Sequence, residues 1–175
     1  MRRIILVAAA TMLLSSPALA KVIAQSPSGF AIAQEADLTV TPQQAFEDFV
    51  AIGKWWDMDH SYTHDGGNMH MDVRQGGAWY ETLPGGGFVT HLSIVQAAPG
   101  ERLVMSGGLG PLAFMGVTGA LTVTFAKTEH GTHVKLSYAV GGFDPGEFKA
   151  LSKGVDGVWT TQVARYQAFA NGGKP

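Results

Sequence analysis

Two periodicities divide the chain. Residues 30–40 place Phe30, Ile32, Leu38 and Val40 on one parity, the two-residue period of a strand with one buried face. Thr41-Pro42-Gln43-Gln44 then has the chemistry of a helix start: a capping threonine, proline at the first helical position and glutamine at the third. Ala45, Phe46, Phe49 and Val50 supply its apolar stripe, and Gly53 is a natural stop. Between residues 69 and 140 the text is strand-like with turn punctuation. Gly76-Gly77, Pro84-Gly85-Gly86-Gly87 and Pro99-Gly100 separate strands at 69–74, 78–83, 88–96 and 102–106. Strands at 120–127 and 132–140 follow a glycine-rich connection over 107–119. In the last of them Val134, Leu136, Tyr138 and Val140 oppose His133, Lys135 and Ser137.

The period then lengthens. Phe148, Leu151, Val155, Val158, Trp159, Val163, Tyr166 and Phe169 recur at helical spacing, which predicts a helix over 145–171 with Asp144 as cap and Glu147 reaching back. Gly154 and Gly157 interrupt it at about 1 kcal/mol each against alanine, and they predict a kink or a close helix–sheet approach. A curved sheet cannot cover its own concave face, so the long helix must, with Leu151, Val155 and Val158 packed on the sheet. The expected class is α+β, a helix-grip fold: a curved antiparallel sheet wrapped around a long C-terminal helix, with a short helix after the first strand.

The N-terminus changes the picture. Arg2 and Arg3, the apolar run 4–14, the break at Ser15-Ser16-Pro17 and Ala18-Leu19-Ala20 read as a cleavable signal peptide over residues 1–20. The apolar run is short of the about 20 residues that span a bilayer, so no membrane span is expected after cleavage. Residues 21–28 read as a leader and 29–175 as one domain, periplasmic or secreted. Cleavage would take the formal net charge from −2 to −4, and no basic stripe remains for nucleic acid. The chain has no cysteine, which excludes disulfides, thiolate metal sites and cysteine nucleophiles.

The segments Thr41-Pro42-Gln43-Gln44-Ala45-Phe46, Trp55-Trp56, Gly76-Gly77-Ala78-Trp79, Pro99-Gly100-Glu101-Arg102-Leu103, Gly119-Ala120-Leu121-Thr122-Val123, Gly131-Thr132-His133-Val134 and Val155-Asp156-Gly157-Val158, in that order, resemble the START-like (SRPBCC) superfamily. The bacterial branch they resemble is similar to polyketide cyclases and the Hsp90-ATPase-activator homology domain. The resemblance spans residues 30–171 and implies a cavity between sheet and long helix that takes hydrophobic small molecules, in enzymes and in pure binders. Hsp90 and ATP are cytosolic, so an exported chain is not expected to activate that chaperone.

Three constellations could carry chemistry. Asp57, Asp59, His60, His64, Asp65 and His70 combine imidazoles with carboxylates, but their spacing matches no established metal site. A solvated loop is expected there, with no metal and no cofactor. Glu81 and His91 lie on neighbouring strands across the 85–87 hairpin, and an acid/base pair there would suit proton transfer. Parity, however, puts His91 with Val89, Ser93 and Val95, opposite the more apolar Phe88, Leu92 and Ile94, and so favours a structural or exposed pair. The third set is aromatic and sulfur-bearing. Trp55, Trp56, Trp79, Met105, Phe114, Tyr138 and Trp159 are the expected cavity lining, and Met69, Met71 and Met115 are packing or lining, with 107–119 as a lid. The sequence therefore predicts an exported domain that binds a hydrophobic or aromatic small molecule or lipid. A cyclase- or dehydratase-type enzyme and a periplasmic metal binder stand as alternatives.

Overall fold

The two-residue period becomes an eight-stranded antiparallel sheet in the computed structural model, which describes residues 21–143 and 148–175. The strands are β1 (Lys21–Ser26), β2 (Gly29–Leu38), β3 (Met69–Met71), β4 (Ala78–Thr82), β5 (Phe88–Ala98), β6 (Arg102–Ser106), β7 (Val117–Lys127) and β8 (Thr132–Gly142). Their order across the sheet is β1-β2-β8-β7-β6-β5-β4-β3. Two helices join them, α1 (Pro42–Val50) and α2 (Phe148–Ala170). The helix-grip architecture expected from the sequence is the one observed.

Alternation sets the inner face. In β8 Thr132, Val134, Leu136, Tyr138 and Val140 are buried, and in β2 Phe30, Ile32, Gln34, Ala36 and Leu38 are. The register Phe30↔Val140 through Ala36↔Val134 stacks these rows side by side. Thr41 caps α1 by accepting the Gln44 N–H, as its sequence position predicted.

The expected leader, residues 21–28, carries an ordered element. Residues 21–26 form β1, an edge strand turned back onto β2 with Ser26 opposite Gly29. Its side chains from Ile23 onward are exposed, so no two-residue period marked it in the sequence. The signal-peptide segment and the Asp144 and Glu147 capping pair lie outside the described residues.

The helix α2 docks through Phe148, Ser152, Trp159, Gln162, Val163, Tyr166 and Ala170. Its C-terminal half is fastened by polar ties: the Tyr166 hydroxyl donates to Ala45 C=O at 2.6 Å, Arg165 Nε to Trp55 C=O at 2.9 Å, and Asn171 Oδ1 accepts from the Thr39 N–H at 2.9 Å. Phe49, Trp55 and Tyr166 pack beneath it with ring centroids 5.3 Å apart. Leu151, Val155 and Val158, expected on the sheet, are half-buried instead and flank a cavity. The helix runs unbroken through Gly154 and Gly157, and a Cβ at either would meet nothing within 4 Å, so neither marks a close approach to the sheet.

Candidate functional site

The cavity lies where the N-terminal half of α2 passes over the inner face of the sheet, and its volume is about 760 Å³. Pockets that hold small ligands run from about 300 to 1,000 Å³. Trp56, Trp159 and His91 form its buried floor. Leu151, Val155 and Val158 form the helix wall, with Gly154 among them. The mouth is framed by residues 59–62 on one side and Leu109, Gly110 and Pro111 on the other.

Three tryptophans give the floor its rigidity. Trp56 meets Trp79 edge-on at 4.8 Å and Trp159 at 5.5 Å, and its Nε1 donates to His60 C=O at 3.0 Å. The loop at 57–68 is tied down twice. Gly53 and Gly66 pack backbone to backbone, so that a side chain on either would collide with the other's carbonyl, and Asp57 N–H donates to Gln162 Oε1 at 2.8 Å.

That loop also encloses Glu81. The carboxylate is fully buried and accepts from the Tyr62 N–H at 3.0 Å and from the Thr63 N–H and hydroxyl. His91 Nε2 lies 3.4 Å from Glu81 Oε2, and the imidazole stacks obliquely on Trp79 at 5.0 Å. Burial alone would push the Glu81 carboxyl up. The Thr63 hydroxyl, the two N–H groups and neighbouring His91 outweigh it and hold the group below its ordinary value. Burial pulls His91 down, with Glu81 opposing, so the imidazole is neutral at pH 7.

Parity had placed His91 on the wrong face because β5 is bulged. Trp79 pairs with Leu92 and Tyr80 with Thr90, which leaves His91 as an extra residue in the ladder. It turns inward beside Leu92 instead of outward with Ser93. The pair expected to be structural or exposed is therefore buried, and His91 reaches the cavity while Glu81 stands behind it.

The other expected residues divide. Trp56 and Trp159 line the cavity. Trp55, Trp79 and Met105 are wholly buried in the core with Met69 and Met71, and Met115 packs against it half-buried. Phe114, expected as lining, is 79% exposed on the outer side of its connection. Tyr138 is buried and acts on the mouth indirectly: its hydroxyl accepts from Leu109 N–H at 3.1 Å and donates to Gly107 C=O at 2.8 Å. Gly119 makes room for that ring, since a Cβ there would stand 2.5 Å from Tyr138 Cε2.

The acidic–histidine loop is dispersed. Asp57 and Asp65 cap short turns through the Asp59 and Gly67 N–H groups, Asp59 and His60 stand at the cavity mouth, and His70 stacks on Tyr80 at 5.2 Å. His64 adopts a left-handed backbone with φ 55° next to Thr63. Among the described residues no three histidine or carboxylate side chains converge as a metal site requires. Residues 61–63 were not singled out from the sequence; Leu109 and Pro111 fall in the 107–119 connection expected as a lid, and Gly154 was marked only as an interruption of the helix.

A curved antiparallel sheet closed by a long C-terminal helix over a cavity defines the START-like (SRPBCC) class of helix-grip domains. Within it, residues 44–168 match the family described as Activator of Hsp90 ATPase homolog 1-like protein, and the chain belongs to that family. Similar solved structures include a Mesorhizobium loti protein, 15% identical with a TM-score of 0.57 over 78% of this chain and 93% of that one. CalU16 from Micromonospora echinospora is 16% identical, with a TM-score of 0.56 over 84% and 78% of the two chains. A conserved Enterococcus faecalis protein of unknown function is 13% identical, with a TM-score of 0.56 over 80% and 70%. At these identities the likeness is one of fold. No curated protein matches the sequence.

Proposed function

We propose that this is an exported domain that binds a hydrophobic or aromatic small molecule, held between α2 and the sheet without covalent chemistry. The observation that carries the reading is the cavity of about 760 Å³, with a rigid aromatic floor and an aliphatic wall on a helix that leaves its apolar flank uncovered. Burying apolar surface there contributes about 25 cal/mol per Å² before the costs of association. Export is supported by the pattern of residues 1–20.

The test is native mass spectrometry of the protein purified from its own compartment, followed by titration with apolar ligands read through tryptophan emission. Trp56 and Trp159 in the floor make quenching the expected response. A protein that arrives empty and leaves its emission unchanged with every alcohol, isoprenoid and polycyclic aromatic tried would refute the reading.

A second reading, an enzyme of cyclase or dehydratase type, is favoured by one observation: a neutral imidazole at the cavity backed by a carboxylate. It predicts turnover of a bound carbonyl compound that is lost in His91→Gln.

A further inference from the structure

The wall of the cavity is mostly apolar, yet the sheet breaks its register to bring one polar ring into it. Of the two nitrogens of His91, Nε2 is enclosed next to Glu81, 3.4 Å from Oε2, and makes no hydrogen bond there. A negative carboxylate at that distance favours the tautomer with its proton on Nε2. Nδ1 is then left as a lone-pair acceptor. The ring itself is flanked by Trp79, at 5.0 Å, and Tyr62, at 6.0 Å.

Charge around the cavity points the same way. Asp59 stands at the mouth and Glu81 behind the imidazole, and among the described residues no lysine or arginine lines the cavity. A bound carboxylate would meet these negative groups with no lysine or arginine to offset them and would lose its hydration. A neutral hydroxyl would lose little and would gain an acceptor.

We propose that His91 is a polar anchoring point that selects, among apolar molecules, those carrying a neutral hydrogen-bond donor such as an alcohol or a phenol, and that turns away carboxylates. This deepens the binding reading above and rests on it. Glu81 is a positioning residue: it sets the tautomer and supplies the negative field, and does not itself reach the ligand.

Three probes of nearly one shape test it: 2-naphthol, 2-methylnaphthalene and 2-naphthoate, measured by equilibrium dialysis at pH 7.5. The expected order has 2-naphthol binding about tenfold more tightly than 2-methylnaphthalene, the worth of one hydrogen bond, with 2-naphthoate weakest. His91→Phe should bring the ratio of naphthol to methylnaphthalene to about one. Glu81→Gln should narrow the gap between naphthol and naphthoate, because the field behind the ring is gone. Equal binding of naphthol and methylnaphthalene to the native protein, or a preference that survives His91→Phe, overturns the anchoring point and leaves the cavity reading intact. If none of the three binds, the cavity reading fails and the anchor falls with it. Should His91→Phe not fold, as judged by its thermal transition, Glu81→Gln decides, and an unchanged gap between naphthol and naphthoate overturns the proposal.

Discussion

The hydroxyl of Tyr138 holds two backbone groups of one loop, at Gly107 and Leu109, and burial pushes its ionisation up to about 12. Tyr138→Phe keeps the ring and takes the partner from the half-buried Leu109 N–H, a loss of about 0.5–1.5 kcal/mol for one hydrogen bond. The expected result is a lower unfolding free energy with faster hydrogen exchange at the Leu109 amide; an amide that exchanges no faster would mean that the loop is held elsewhere. Glu81 and His91 give a pH dependence of definite sign. The folded state holds Glu81 below 4.5, so its stabilisation is full above that value and is lost as pH falls through it. His91 is held below 6.5, so under pH 6.5 the unfolded chain takes up a proton that the folded form refuses, and stability falls. Denaturation between pH 7.5 and 5 should show stability decreasing towards acid, with a shallower slope in His91→Gln. Side-chain identity carried part of this site. Parity told which residues face inward, and Trp79, Met105 and Tyr138 do. It could not tell which inward side chains meet other side chains and which meet empty space.

At the scale of elements, α2 is two half-helices with different duties. The stretch through Val163 and Tyr166 is core, and the stretch through Leu151, Gly154, Val155, Val158 and Trp159 lines the cavity. Gly157 is exposed with open space around it, so Gly157→Ala should stabilise the protein by about 0.5–1 kcal/mol and leave ligand affinity alone. Gly154→Leu should gain helix stability in the same way and yet weaken ligand binding, because its side chain enters the mouth. Thermal unfolding beside a ligand titration separates the two; if Gly154→Leu binds as tightly as the native protein, the cavity is not entered there. Val163→Asp should cost several kcal/mol by burying an unpaired charge. Val155→Asp, at the half-buried wall, should act on binding more than on folding. The helix was legible as an element from its spacing. Its division was not, because a 3.6-residue period looks alike whether the facing surface is a sheet or a void.

For the molecule as a whole, element order and the pairing of consecutive strands were readable from turn residues and alternation, and the helix-grip class followed. What alternation could not carry was β1, whose exposed side chains have no period, and the bulge in β5. On the proposed export, cleavage after Ala20 would leave Lys21 as the N-terminus. N-terminal sequencing checks it, and an intact Met1 on cytosolic protein would count against export.

The bulge reaches further than one side chain. With His91 struck out, residues 89–94 would alternate cleanly against β4: Val89, Leu92 and Ile94 inward, Thr90 and Ser93 outward. His91 is thus the residue that the ladder between β4 and β5 can spare. A single-codon deletion would uncouple the scaffold from its recognition chemistry, and a single-codon insertion would restore it. Domains of this architecture could acquire or discard a polar anchor in one step, with the eight strands left in register.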